Sequence, residues 1–260
     1  MSIALSELII LMLIFFGIAT LYASVGFGGG SSYLAILAIF FTSFFVIRST
    51  ALFCNLIVVA GGCYLFYRKG HLHFKKFLPF VLTSIPMAFI GASFKLNEVI
   101  FFSILGVSLV IAAIALFTQT INLKTDFNPR NYPPYLSYVL GALIGLLSGL
   151  VGIGGGIFLA PILHHMKWDR PIVIAALSSF FILVNSISGL SGLLWNNSFE
   201  IYWVEAVCLC IAVLIGGQLG TRFSISNLSA RRIRIITAIL VLFVGVRVLI
   251  NNGLQLNFFS

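Results

Sequence analysis

Val25-Gly26-Phe27-Gly28-Gly29-Gly30 and Val151-Gly152-Ile153-Gly154-Gly155-Gly156 are one motif written twice, 126 residues apart, each time between two long apolar runs. Glycine in a helix interior costs roughly 1 kcal/mol relative to alanine, so four glycines in five positions mark a break. Without a Cβ, such a break also lets backbone come close to another group. At membrane depth it persists only where it is buried in protein or lines a cavity. Matched breaks in the two halves of an apolar chain point to a transporter's binding site.

The surrounding sequence requires the membrane reading. Of 260 residues, 60% are apolar and 8% charged, against about 25% charged in soluble domains. Apolar runs of about 20 residues, the length that crosses a bilayer, recur from end to end. The first, Met1 to Val25, has no Lys or Arg ahead of it and is too long for a signal-peptide core, so it reads as a retained membrane helix. The net charge of +9 does not imply nucleic acid. The basic residues sit in short loops, where they fix orientation and meet anionic lipid headgroups. Cys54, Cys63, Cys208 and Cys210 lie in apolar segments and form no C-x-x-C pair, so they read as buried small side chains rather than a disulfide or metal framework. No cofactor is implied.

Ten apolar segments follow: 5–25, 29–46, 48–67, 77–95, 98–118, 135–152, 155–166, 172–194, 201–221 and 233–250. The expected fold is an all-α polytopic membrane protein. Residues 1–118 form a first five-segment repeat, 119–134 a polar linker with Pro129, Pro133 and Pro134, and 135–260 a second repeat, together one membrane domain. Setting Asn55 against Asn185, an offset of 130, also matches Ser49 with Ser179 and Gly62 with Gly192; Gly91 meets Gly220 at an offset of 129. With the N-terminus outside, the inward loops hold Arg68, Lys69, Lys75, Lys76, Lys124, Arg130, Lys167, Arg170, Arg222, Arg231, Arg232 and Arg234, 12 of the 15 basic residues. Arg48 and Lys95 fall at outer ends and Arg247 in the last segment. That asymmetry satisfies the positive-inside rule for a multi-pass protein of the plasma (cytoplasmic) membrane. Five segments per repeat start the second repeat from the opposite side, so the repeats are expected to be inverted. Segments 1–2 and 6–7 are each either two crossings or one re-entrant hairpin. Loop charges do not decide, and the hairpin reading, with tips entering from opposite faces to meet at the midplane, is preferred.

A new helix begins at each glycine tip, and a helix N-terminus offers unpaired N–H groups and the positive end of the dipole to an anion. The candidate substrate-binding set is therefore Gly26, Gly28, Gly29, Gly30, Ser31, Ser32, Gly152, Gly154, Gly155 and Gly156, with Arg48, Ser49, Asn55, Ser178, Ser179 and Asn185. Against it stands close helix packing through small residues, common in membranes. Duplication of the cluster tips the balance toward a site. Polar groups at membrane depth are functional suspects, yet an interhelical hydrogen bond worth about 1 kcal/mol or less explains the asparagines equally well. Arg48 reads first as an interfacial anchor that snorkels, and second as a charge drawing anions into the outer mouth. His164 and His165 close segment 7 beside Lys167, Asp169 and Arg170, and His71 and His73 belong to a basic loop; all four read as loop-edge residues. Gln218 either lines the cavity or bridges helices. Of the six acidic residues, Glu7, Glu98, Asp126, Asp169, Glu200 and Glu205, only Glu205 could sit at any depth. Cation carriers keep carboxylates in mid-membrane, so their scarcity favours an anionic substrate.

The twin motifs, the trailing Pro161, the run Ala175 to Ser179 and Gly189 to Gly192 resemble the sulfite exporter TauE/SafE family of membrane permeases over essentially the whole chain. The first repeat departs from the pattern, with Ala35 where the second has Pro161. The resemblance implies transport of small sulfur-containing anions such as sulfite or sulfonates. The expected function is a secondary transporter working by alternating access around a midplane site, and not an enzyme. An anion channel is the near alternative. An intramembrane enzyme or maturation factor stands further off, for want of a nucleophile–base pair or metal ligands at one depth. Partners are a small anionic substrate and membrane lipid, with no nucleic acid; a coupling proton or other ion and a homo-oligomer are left open.

Overall fold

The computed structural model describes residues 4–24, 26–41, 43–94, 96–121, 130, 132–225 and 230–250. Val25, Lys95, Lys124, Asp126 and most of the proposed linker, Pro129 included, lie outside them. Among the described residues there are ten helices: α1 (Leu5–Ala23), α2 (Gly30–Phe40), α3 (Phe44–Arg68), α4 (Phe74–Ser93), α5 (Glu98–Ile121), α6 (Pro134–Val151), α7 (Gly156–Met166), α8 (Pro171–Trp195), α9 (Trp203–Ile225) and α10 (Ala230–Val248). Seven of them, all but α2, α7 and α10, are long and apolar enough to cross a membrane. The reason is local: in an apolar solvent every backbone polar group must be satisfied within the segment, and a helix does that.

α2 and α7 are 11 residues each, about 16 Å of helix, half the roughly 30 Å of a bilayer core. α1 and α6, at 19 and 18 residues, are full length. Each unit is a full-length helix, a glycine break and a half-length return. The second segment was also expected to run to residue 46. It stops at Phe40, because Phe41 is extended (φ −120°, ψ 142°) and α3 starts at Phe44 behind an extended Ser43. No glycine or proline lies between Phe40 and Phe44 and the flanking residues are apolar, so hydropathy does not register the boundary.

Helix pairs meet through small residues. Along α6, Gly141, Gly145 and Gly149 lie in turn against the backbone of Phe80, Ser84 and Ala88 of α4, with room for no side chain. Gly216 and Gly220 of α9 meet the carbonyls of Phe16 and Thr20 of α1 in the same way. Both pairs run in parallel. α3 and α8 run oppositely, Leu52 facing Gly189, Asn55 facing Ser186 and Gly62 facing Ser179. α3 runs with α9 (Cys54 by Cys210, Val58 by Gly217, Gly62 by Thr221). α4 runs with α8 (Ser188 Oγ to the Ile85 carbonyl, Asn196 Nδ2 to the Ser93 carbonyl).

The main helix pairs map onto one another when α1 to α5 are exchanged with α6 to α10. α4–α6 becomes α1–α9, α3–α9 becomes α4–α8, α2–α3 becomes α7–α8 and α5–α7 becomes α2–α10, while α3–α8 and α5–α10 map to themselves. The register differs from the expected one. α3 and α8 are both 25 residues and sit 127 positions apart. At that offset Gly26 meets Ala175 as Gly152 meets Arg48, and Gly28 meets Asn55 as Gly154 meets Ile182. The packing counterpart of Asn55 is thus Ile182, not Asn185, because the break glycines and not the polar residues set the register.

Candidate functional site

Two glycine breaks meet on one side chain. Asn55 is fully buried at the twelfth of the 25 residues of α3, near its middle. Its Nδ2 donates to the Ile153 carbonyl of the second break at 2.9 Å and to Ser186 Oγ of α8 at 3.3 Å. A Cβ on Gly28, in the first break, would fall onto Asn55 Oδ1. One on Gly30 would lie 3.2 Å from the Asn55 amide carbon and 3.3 Å from the Ile153 carbonyl oxygen, and one on Gly154 2.8 Å from Asn55 Nδ2. The glycines are what let the two backbones and the amide occupy one place.

The left-handed conformation adds a second requirement. Gly29 (φ +90°) and Gly155 (φ +82°) are the residues before α2 and α7, and L side chains resist that region. Each turns the chain so that a helix begins at the junction with its free N–H groups toward it. The two positive helix ends therefore converge. The space between them, lined by residues 28–31, Tyr22, Phe27, Ile153, Ile157 and Ile182, is too tight for a water molecule.

The other candidates divide. Ser31 lines this space, and its buried Oγ has no partner among the described residues. Ser32 shares a 2.7 Å hydrogen bond with Tyr22. Ser179 Oγ is committed, donating to the Gly26 carbonyl at 3.2 Å. Gly156 packs on the Ser178 carbonyl, and Ser178 Oγ is buried without a partner. Ser49 does not join the junction: its Oγ accepts from the Glu200 backbone N–H in the loop before α9. Asn185 is buried, with neither amide atom partnered among the described residues. Arg48 does not snorkel as the sequence suggests, since it is 2% exposed. The folded end of α6 covers it, its Nη2 donating to the Gly149 carbonyl at 2.6 Å.

Several functional candidates were not legible. Tyr22, Tyr33, Ser148 and Ser186 each look like a lone hydroxyl in an apolar run. In the fold, Tyr33 lies against Gly29 and Ser148 against Gly155, both with buried unpartnered oxygens, and Ser186 holds Asn55. Tyr22, Tyr33 and Ser148 share one signal, position within about one helical turn of a break; Ser186, 131 positions from Asn55, carries none. Gln218 bridges helices, its amide lying against Gly61. Glu7, Glu98 and Glu205 all stand in first helical turns. Asp169 pairs with Lys76 at 2.7 Å, and Glu200 precedes α9. Among the described residues, no carboxylate stands mid-helix. The junction accordingly offers N–H groups, hydroxyls and one amide, a donor set suited to an anion.

Comparison with known proteins agrees with the resemblance. A family model for sulfite exporter TauE/SafE matches residues 11–248. A chain of Sinorhizobium fredii named probable membrane transporter protein y4hK is 33% identical over 250 residues, covering 94% of this chain and 99% of its own. Bacillus subtilis YunE, also named a probable membrane transporter protein, is 26% identical over 115 residues, 44% of this chain and 41% of its own. Methanocaldococcus jannaschii MJ0441, named likewise, is 31% identical over 117 residues, 42% of this chain and 43% of its own. No solved structure matches.

Proposed function

The chain belongs to the sulfite exporter TauE/SafE family and is a membrane transporter, not an enzyme; from that premise we propose that it carries a small sulfur oxyanion, sulfite or an organosulfonate, across the cytoplasmic membrane by alternating access around the glycine junction. The single observation behind this reading is the meeting of both breaks on Asn55. One solute there touches both halves of the molecule at once. Its oxygens are held by the N–H groups opening α2 and α7, with Ser31, Ser178 and Asn55 completing the shell. Helix N-termini supply fixed positive ends at no reorganisation cost, and a low-dielectric surrounding strengthens each contact.

The halves act as inverted repeats with the N-terminus outside. What supports inversion is the direction of packing: α1, α3 and α9 run one way, and α6, α8 and α4, their counterparts, run the other. Each half-length helix then opens toward a different face, and moving one of them exposes the junction to one side only.

Proteoliposomes loaded against radiolabelled sulfite test this directly. Saturable flux is expected from the wild type and none from Gly28→Leu with Gly154→Leu, whose side chains would need the space of Asn55 and Ile182. Wild-type rates in that double variant would remove the site from the mechanism.

A further inference from the structure

Arg48, in the second turn of α3, is a buried cation whose compensation is incomplete. Among the described residues, one of its five N–H donors is used, by the Gly149 carbonyl. The guanidinium stands 5.7 Å over the Phe101 ring, and its buried Nε has no partner among the described residues. Among those residues the ion pair is Lys76 with Asp169, and no carboxylate reaches Arg48. Burying a charge is costly unless it is paired and hydrogen-bonded. Part of that cost is offset locally. Gly149 lies in the last turn of α6, so the cation rests on the negative end of a helix.

Gly152 makes the contact feasible: a Cβ there would stand 3.2 Å from Arg48 Cγ and 3.4 Å from Nε, and its φ of +77° is itself left-handed. Beside it, Ser148 carries a second buried, unpartnered donor, and its Cβ lies 3.1 Å from where a Gly155 Cβ would be. The first break has nothing equivalent, since Ala175 occupies the position of Arg48 against Gly26. The two breaks are alike in backbone and unlike in charge.

We propose that Arg48 is the specificity-determining subsite for a small oxyanion and the latch of the second break. One ligand oxygen takes Nη2 from the Gly149 carbonyl and a second takes Nε, the bidentate arrangement that the planar guanidinium fork favours. Surrender of the carbonyl uncaps α6 and frees residues 152–155 to move, so binding and opening are one event. A ligand with two oxygens on one face triggers it and a halide does not. This rests on the anion-transport reading above and adds to it which end of the site selects and what selection releases.

The test uses the purified full-length chain. Sulfite, methanesulfonate, sulfate and chloride are titrated while thermal stability and amide exchange of residues 149–155 are followed, and KM and kcat for sulfite are measured in proteoliposomes. In the wild type the oxyanions, not chloride, are expected to speed exchange at 149–155. Arg48→Lys keeps the charge but loses the fork, and Arg48→Gln loses both; KM is expected to rise several-fold and at least about tenfold respectively, from loss of a charge-assisted bond. The exchange response disappears in both, and should Arg48→Gln not fold, Arg48→Lys alone decides. Unchanged KM in the Lys variant, or exchange indifferent to oxyanions in the wild type, overturns the proposal while leaving sulfite transport standing. Arg48-dependent oxyanion binding in a wild type that moves no sulfite does the reverse, upholding the subsite and removing the transport reading.

Discussion

Asn55 shows how much one amide carries. Its nitrogen satisfies the Ile153 carbonyl, exposed by the second break, while its oxygen occupies the space that Gly28 leaves open in the first. Removing it orphans a buried carbonyl, at about 1 kcal/mol by the average of interhelical bonds in membranes. Asn55→Ala is therefore expected to fold, melting a few degrees lower in detergent, and to lose most sulfite flux. Asn55→Asp keeps the shape but turns an acceptor toward the Ile153 carbonyl, and should melt lower than Asn55→Ala. The reverse order would show that the amide's donor is not what holds the second break. Asn55 was legible because an asparagine in an apolar run stands out. Arg48 was legible as a residue but not as a buried one, since what covers it is the end of α6, 101 positions away. Asn185 was paired with Asn55 through a chance identity three residues out of register.

Elements were readable wherever glycine or charge interrupts apolarity, and not where the chain turns without either. Nine of the ten expected segments match a helix to within a few residues; the exception is the second, where α2 ends at Phe40 and α3 begins at Phe44 with no glycine or proline between. Hydropathy likewise cannot tell a glycine that breaks a helix from one that lets two helices touch. The distinction appears in neighbours. A methyl on Gly145 would lie 2.6 Å from Ser84 Cα, whereas one on Gly17, in α1, meets nothing within 4 Å. Gly145→Ala should therefore push α6 from α4 and destabilise by about 1–3 kcal/mol, the usual cost of overpacking. Gly17→Ala should be neutral or gain up to about 1 kcal/mol from helix propensity. Melting curves of the two variants in one detergent check both, and a Gly17→Ala variant that melts below Gly145→Ala would contradict the ladder.

At the scale of the molecule, the halves are interleaved. The pairs α4–α6, α1–α9, α3–α8 and α5–α10 all join one half to the other, and α4–α6, α1–α9 and α5–α10 do so through close glycine contacts that leave no slack. Rocking half against half would unpick every ladder at once. Motion is cheaper in α2 and α7, which are short, begin at left-handed glycines and pack mainly on α3 and α8. On the alternating-access mechanism proposed above, one half-length helix at a time would withdraw from a fixed frame. Two cross-links separate these mechanisms. Cys54 and Cys210 hold their sulfurs 4.0 Å apart on α3 and α9, one from each half. Oxidising that pair in the wild type joins frame to frame, so sulfite flux should survive. Ser31→Cys with Ile157→Cys, placed on the shared lining of the junction in a background lacking the native cysteines, joins the two moving arms. Its oxidation should abolish flux and a reductant should restore it. The opposite pattern, flux lost with Cys54–Cys210 and kept with the engineered pair, would make the interleaved frame the moving part and the half-length helices its passengers.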